Sequence, residues 1–165
     1  MTHDARAAGF NDLYEANAPA VHRFLSRLSG DNSLAEDITA ETFLRVWSSD
    51  VPVRLSTARA YLYTIARRLF IEYARRARRH TPLLAEYPHS TDTARDAEAR
   101  DALNNLDAAL AQLPEDSRAA LILHAVEELP YSEIAAILDI TVTAAKVKVH
   151  RARLRLQDSL QRSPQ

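Results

Sequence analysis

Positively charged side chains are concentrated in two blocks of the sequence. The first block, residues 54–80, carries eight arginines against the single acid Glu72, a balance of +7. The second block, residues 146–155, carries five cations and no acid: Lys146, Lys148, Arg151, Arg153 and Arg155. Between them, residues 86–116 carry eight acids against two arginines, a balance of −6. This alternation indicates two contact points on one polyanion, with the acidic stretch held away from it.

The first block also contains four aromatic residues at helical spacing: Tyr61, Tyr63, Phe70 and Tyr73. Aromatic faces beside cations can bind unpaired bases, because every base has a face on which to stack. Aromatic residues at helical spacing are just as often core residues. The sequence therefore leaves both interpretations, base stacking and core packing, open for each of the four.

The second block lies within a helix-turn-helix pattern. Residues 130–138 are predicted to form a short helix, residues 139–141 a tight turn and residues 142–156 a longer basic helix, with Thr141 as its N-cap. The apolar residues of the last helix share one face: Val142, Ala145, Val149, Ala152 and Leu156. Its cations face outward, which favours entry into a DNA major groove over a merely solvated basic face.

Helices are also expected throughout the first half of the chain. Apolar residues over 10–28 indicate helical structure interrupted at Pro19. Ser33 begins an S-x-x-E capping box, so the next helix is expected over residues 33–47. A third helix is expected over residues 57–79. Its predicted inward residues are Leu62, Ile65, Ala66, Leu69 and Tyr73.

A stretch rich in proline and polar residues, 81–93, predicts a linker between a helical domain at 1–80 and a second domain at 94–165. In the second domain a leucine stripe indicates one helix: Leu103, Leu106, Leu110 and Leu113. Another is expected over 115–128, with an inward set of Leu121, Ile122, Ala125, Val126 and Leu129. The sequence thus predicts an all-α protein of two small helical domains joined by a flexible linker, the second being a helix-turn-helix domain.

Composition argues against several classes of protein. Two glycines do not suffice for a phosphate-binding loop, and the absence of cysteine excludes thiolate metal sites and disulfides. The six histidines form no pair at metal-binding spacing, and no serine lies in a nucleophile-elbow context. We therefore expect no enzyme activity, metal or cofactor. A third hypothesis, an RNA-processing enzyme that uses the basic helix, has no catalytic constellation in this sequence to support it. The start of the chain lacks an apolar leader and no apolar run reaches the length of a membrane span, so we expect no membrane insertion and a cytoplasmic location.

Three segments together resemble the extracytoplasmic-function (ECF) sigma factors, the two-domain members of the bacterial sigma family. Residues 35–47, AEDITAETFLRVW, are similar to the segment that docks on the clamp helices of RNA polymerase. Residues 61–69, YLYTIARRL, resemble the segment that recognises and opens the minus-ten element. The motifs LPE at 113–115, YSEIA at 131–135 and KVKVHRAR at 146–153 resemble the minus-thirty-five reader.

The resemblance implies three partners: core RNA polymerase, promoter DNA and an anti-sigma factor. The polymerase-docking residues are then Asp37, Glu41 and Leu44. The minus-ten residues are Tyr61, Arg67, Arg68, Glu72, Arg75 and Arg76. The minus-thirty-five residues are Thr141, Thr143, Lys146, Lys148, His150, Arg151 and Arg153.

The chain departs from the family pattern at several positions. Tyr61 replaces the usual tryptophan, Arg68 a common asparagine and Ala40 a glutamine, while Glu128 and Pro130 depart from the usual G-L-S approach to the helix-turn-helix. Val147 and Leu154 stand where the family usually has polar residues. One interpretation is that another segment of the domain covers these two side chains, or that Val147 meets a thymine methyl group in the groove. The other interpretation is that they form an apolar seam that an anti-sigma partner buries.

The leading hypothesis is therefore a promoter-specificity subunit of bacterial RNA polymerase. The alternative is a stand-alone helix-turn-helix DNA-binding transcriptional regulator. The alternative predicts tight, specific duplex binding by the free protein, whereas a sigma factor should bind free promoter DNA poorly.

Overall fold

The computed structural model describes residues 3–50, 53, 55–80 and 97–162. These residues form seven helices: α1 (His3–Ser29), α2 (Asn32–Ser48), α3 (Leu55–His80), α4 (Ala97–Ala111), α5 (Glu115–Ala125), α6 (Tyr131–Leu138) and α7 (Val142–Arg162). No strand occurs within these ranges, and the predicted all-α class is confirmed. The predicted linker, residues 81–93, lies outside the described residues. We call α1–α3 the N-terminal unit and α4–α7 the C-terminal unit.

The first helix continues through Pro19, and the predicted interruption is wrong. Proline cannot donate to the carbonyl four residues earlier, which belongs to Glu15. Both Glu15 and Pro19 are exposed, so water can reach the carbonyl that is left unpaired. The helix ends where expected, at Gly30, whose φ of +69° places it in the left-handed region.

Helix α2 begins at Asn32, one residue before the start that the capping box predicts. Its N-cap is Asp31, whose side chain accepts a hydrogen bond of 3.0 Å from the Leu34 amide. Ser33 is therefore inside the helix, and the predicted start at Ser33 is wrong. Aspartate is at least as good an N-cap as serine, so the first suitable residue after Gly30 takes the position.

Helix α3 divides the four aromatic residues of the first basic block into two pairs. Tyr63 and Phe70 are buried in the core, whereas Tyr61 is 36% and Tyr73 50% exposed. The expectation that Tyr73 faces inward is wrong. The other inward positions are correct: Leu62, Ala66 and Leu69 are buried, and Ile65 packs against the core.

Helices α6 and α7 form the predicted helix-turn-helix. Asp139 ends α6 in the left-handed conformation, with a φ of 55°, and Thr141 caps α7 by accepting a hydrogen bond of 3.1 Å from the Ala144 amide. The predicted core face of α7 holds at Ala145, Val149 and Ala152, which are buried, and at the partly buried Leu156. Val142, at the first turn, is 42% exposed and does not belong to that face.

Helix α5 ends at Ala125, three residues before its predicted end. Leu121, Ile122 and Leu129 are buried as expected, but Ala125 and Val126 are exposed because the chain leaves the helix there. Glu128 takes a φ of 54°. This is a conformation that glycine enters freely and that costs other residues about 1–2 kcal/mol.

The two units pack against each other. Helix α1 contacts α4 and α5, and α3 contacts α6. A single cluster of buried apolar side chains extends from Leu13 in α1 to Ala152 in α7. The described parts of both units therefore share one continuous core. Among the described helices none is long and apolar enough to cross a membrane.

Candidate nucleic-acid interface

The three predicted docking residues share one exposed face of α2. Asp37, Glu41 and Leu44 follow the i, i+4, i+7 spacing of a helix, and all three side chains are exposed, with Leu44 at 57%. Glu41 also accepts a hydrogen bond of 3.2 Å from Arg45, an exposed pair that contributes little to stability. The face combines two carboxylates with one apolar side chain, a combination that suits a basic partner surface.

The predicted minus-ten residues lie along α3, and most of them face solvent. Arg68, Arg75 and Arg76 are exposed, and Tyr61 presents about a third of its surface. Arg76 donates a hydrogen bond of 3.0 Å to Glu72 one turn earlier. The exposed arginines form a cationic strip beside an accessible aromatic ring.

Arg67 differs from the other arginines of this strip, because its side chain is only 14% exposed. Its Nε and Nη2 atoms each donate a hydrogen bond of 2.8 Å to a different carboxylate oxygen of Glu115, at the start of α5. This bidentate pair joins the two units. In this structure the Arg67 guanidinium is engaged by a carboxylate of the chain itself.

The predicted minus-thirty-five residues gather at the N-terminal half of α7. Six of the seven are exposed: Thr141, Thr143, Lys146, His150, Arg151 and Arg153. The ammonium group of Lys146 lies 5.8 Å from the centre of the Tyr131 ring, which holds it beside α6. This half of the helix offers hydrogen-bond donors and positive charge on its outward face.

Lys148 is the exception on α7. Its Nζ donates a hydrogen bond of 2.6 Å to Asp116, the residue that follows Glu115. Partial burial disfavours the charged form of Asp116, but the hydrogen bond and charge of Lys148 outweigh it and lower the pKa of this carboxyl. Adjacent acids at the first turn of α5 thus hold one cation from each predicted DNA surface.

Sequence reasoning missed a cluster centred on Glu127. The Glu127 side chain is completely buried, and Arg23 of α1 donates to both of its oxygens, at 2.9 and 2.8 Å. The Tyr63 hydroxyl donates a further hydrogen bond of 2.8 Å to Oε2. Arg59 donates one of 2.8 Å to the Glu127 backbone carbonyl and lies 3.4 Å from Oε2. The available sequence signal was the pair of acids Glu127 and Glu128 beside the apolar residues of 121–129, but the sequence does not show which of the two is buried.

The electrostatics of this cluster are those of a buried, well-paired carboxylate. The hydrogen bond to Glu127 raises the pKa of Arg23. Burial, with the neighbouring carboxylate, raises the pKa of the Tyr63 hydroxyl well above its usual value. Both shifts keep Arg23 charged and Tyr63 protonated at neutral pH, so each remains a donor to Glu127.

Two family models match separate parts of the chain. Residues 13–80 match the model described as Sigma-70 region 2, and residues 103–156 match Sigma-70, region 4. The first match contains α2, α3 and most of α1. The second contains the helix-turn-helix and the cationic half of α7.

Named sigma factors from other bacteria align with nearly the whole chain. The RNA polymerase sigma factor CarQ of Myxococcus xanthus is 34% identical over 164 residues, which cover 95% of this chain and 92% of the relative. The ECF RNA polymerase sigma factor SigE of Mycolicibacterium smegmatis is 33% identical over 165 residues. That alignment covers 94% of this chain but 63% of SigE, so the chain spans less than two thirds of this longer relative.

A solved structure shows the same arrangement of helices. The sigma factor RpoE of Bartonella quintana, in complex with the anti-sigma factor NepR, superposes with a TM-score of 0.76 at 27% identity. The superposition covers 94% of this chain and 99% of that one. With two sigma-family regions in order, relatives aligned across both, and a matching fold, the chain belongs to the ECF RNA polymerase sigma factors.

Proposed function

We propose that this chain directs core RNA polymerase to promoters by contacting DNA through two surfaces and the polymerase through a third. The exposed arginines of α3 with Tyr61 engage the minus-ten element, and the N-terminal half of α7 enters the major groove at the minus-thirty-five element. The α2 face formed by Asp37, Glu41 and Leu44 docks on polymerase. The protein acts by binding, in the cytoplasm where its polymerase partner works, and carries out no chemical step.

The observation that carries this proposal is the helix-turn-helix itself. Its second helix is capped by Thr141 and presents Lys146, Arg151 and Arg153 to solvent, while Ala145 and Val149 anchor the opposite face. A helix held in this way offers its cations to phosphates and base edges without repacking its domain.

In-vitro transcription with core polymerase and a pool of genomic templates tests the proposal. We expect initiation at a defined subset of promoters, and only when the chain is added. Failure to initiate at any promoter would contradict it. Tight, specific duplex binding by the free chain, unaffected by polymerase, would instead support a stand-alone regulator.

Substitution of Arg151 and Lys148 by alanine should weaken promoter binding by the polymerase complex. If a lost contact is to phosphate, the slope of log K against log salt should fall by about one per residue. If it is to a base, specificity should relax at one position, at a cost of about 1–3 kcal/mol. The measurement is promoter affinity across a salt series.

Arg162→Ala is the matched control for this series, because Arg162 is an exposed cation at the far end of the same helix. We expect it to leave both affinity and salt slope nearly unchanged. Unchanged behaviour of Arg151→Ala and Lys148→Ala would show that this face of α7 does not meet DNA.

We also propose that an anti-sigma protein covers the apolar seam formed by Val147 and Leu154. The two side chains are seven residues apart, within about 20° on the helix, and are 39% and 48% exposed. Since less than half of each is exposed, burying both would contribute about 1–3 kcal/mol before association costs. The similarity to a sigma factor that was solved in complex with an anti-sigma factor supports such a partner.

Val147→Ser combined with Leu154→Glu should make the factor constitutively active in its native cell while leaving its thermal stability unchanged. Leu160→Glu is a control of similar exposure on a different side of the helix, and we expect it to leave regulation intact. A sharp loss of stability in the double variant would assign Val147 and Leu154 to the fold instead, and the seam would be withdrawn.

A further inference from the structure

Two side chains of the proposed minus-ten surface share one exposed face of α3. Tyr61 and Arg68 are seven residues apart, which places them within about 20° of each other around the helix and about 10 Å apart along its axis. The Tyr61 side chain is 36% exposed, and Arg68 is exposed as well. Because side chains on a helix lean toward its N-terminus, the long side chain of Arg68 can extend back toward the Tyr61 ring.

The Arg68 guanidinium is not engaged by the chain itself. Within the described residues it takes part in no hydrogen bond or ion pair. Glu72 lies one turn after Arg68 but accepts a hydrogen bond of 3.0 Å from Arg76, because a carboxylate pairs better with a cation four residues later than with one four residues earlier. The neighbouring Arg67, in contrast, donates from two nitrogens to Glu115. Arg68 therefore keeps its whole set of donors for a ligand.

The helix surface between Tyr61 and Arg68 offers no competing donor. Two residues lie between them on this face, Thr64 and Ile65. The Thr64 hydroxyl donates a hydrogen bond of 2.8 Å to the Ala60 carbonyl, and Ile65 packs against the core. Arg68 is therefore the first free hydrogen-bond donor on this face beyond the Tyr61 ring, and a base near that ring lies within its reach.

The donors of a guanidinium discriminate between the bases. Arginine carries donors only, so it binds best to an edge that has two adjacent acceptors. Guanine presents N7 and O6 in this way, whereas adenine places a donor amino group beside N7, and thymine places a methyl group beside O4. Cytosine has two adjacent acceptors only on its Watson–Crick edge, which is occupied until the strands separate. Guanine is therefore the base whose contact with Arg68 can form on the duplex and persist as the strand opens.

We propose that Arg68 is a specificity-determining residue that selects guanine at one position of the minus-ten element. Its guanidinium donates two hydrogen bonds, to O6 and N7 of that guanine, while the Tyr61 ring stacks on a neighbouring base. This assignment rests on the proposed function, because it concerns the same DNA surface. Base preference and initiation are separate measurements, so each can fail without the other.

A base scan of a promoter used by the polymerase complex tests the proposal. Each minus-ten position is changed in turn to the other three bases, and the affinity of the full chain with core polymerase is measured for each sequence. We expect one position at which guanine is bound at least about tenfold more tightly than any other base. Arg68→Gln should change the preferred base at that position from guanine to adenine, because a side-chain amide pairs with N6 and N7 of adenine.

Arg75→Gln is the matched control, since Arg75 is another exposed arginine on the same face of α3, seven residues beyond Arg68. It lies about 20 Å along the axis from Tyr61, too far to contact a base beside that ring. We expect Arg75→Gln to lower the affinity by a similar factor for all four bases, as the loss of a phosphate contact does. Both variants should keep the melting temperature of the unmodified chain, because neither arginine makes a hydrogen bond or ion pair within the described residues.

Single-stranded oligothymidines with one central guanine or one central adenine give a second measurement that needs neither a promoter nor polymerase. The full chain should bind the guanine oligonucleotide at least about fivefold more tightly, and Arg68→Gln should remove the difference. If neither assay shows a guanine preference that depends on Arg68, or if Arg68 selects cytosine, the proposal is wrong, and initiation at promoters would leave the proposed function standing. If the oligonucleotide preference depends on Arg68 but no promoter supports initiation, the guanine contact stands and the proposed function fails.

Discussion

Replacing Asp37 and Glu41 together by lysine should lower the affinity of this chain for core RNA polymerase by at least about 100-fold. Both carboxylates are exposed on one face of α2, next to Leu44, and their proposed partner surface is basic. Reversal of two charges removes two attractive contacts and creates two repulsive ones. The measurement is polymerase affinity of the labelled chain at fixed ionic strength.

The fold should survive this double substitution, because neither carboxylate contributes to the core. Glu98→Lys with Asp101→Lys is a control that reverses the same number of charges at exposed positions on α4. The control should change polymerase affinity by less than about threefold, as expected for charges outside the contact. Equal losses in the two double variants would show only a response to net charge, and an unchanged affinity of the α2 variant would remove the docking assignment.

The elements that could be predicted from the sequence are those with a strong local pattern. The helix-turn-helix was predictable because Asp139 can enter the left-handed region, Thr141 can cap α7, and the apolar face continues through Ala145 and Val149. The start of α2 was mispredicted because two good capping residues, Asp31 and Ser33, lie within three positions, and Asp31 is the one that accepts a hydrogen bond from the helix, from the Leu34 amide. A local pattern therefore predicts the presence of a helix more reliably than it predicts the residue at which the helix begins.

The contacts between the units could not be predicted in the same way. Arg23 and Glu127 are 104 residues apart in the chain. The sequence of residues 81–93, between the two units, carries no pattern that predicts how the units are placed relative to each other. From the sequence alone, the eight arginines of residues 54–80 therefore cannot be divided into those that face solvent and those that contact the other unit. In the structure Arg59 and Arg67 bind acids of the C-terminal unit, whereas Arg68, Arg75 and Arg76 face solvent or their own helix.

The proposed docking face and the proposed DNA surfaces are both largely exposed, but they differ in how their charged side chains are engaged. Asp37, Glu41 and Leu44 face solvent on α2. Two of the proposed DNA-contacting cations are instead held by acids of the chain itself: Arg67 pairs with Glu115 across the two units, and Lys148 pairs with Asp116 within the C-terminal unit. DNA phosphates must displace these two carboxylates before they can contact Arg67 and Lys148.

Phe24→Ala should reduce the free energy of unfolding by about 3–5 kcal/mol and lower the melting temperature by about 10 °C. Phe24 is completely buried in α1, and its ring meets the Tyr63 ring edge to face, with centroids 5.1 Å apart at an angle of 73°. The substitution leaves a cavity at that contact. Phe24→Leu retains an apolar side chain and should lose much less stability.

The shared core also predicts that both units of the Phe24→Ala variant unfold together. Trp47 is the only tryptophan and lies in the N-terminal unit, so its fluorescence reports that unit, whereas far-ultraviolet circular dichroism reports all the helices. Because buried side chains form one cluster across both units, Phe24→Ala should shift the two transitions by the same amount. A shift confined to the Trp47 signal would mean that the units unfold independently, and that the contacts around Glu127 contribute little to holding them together.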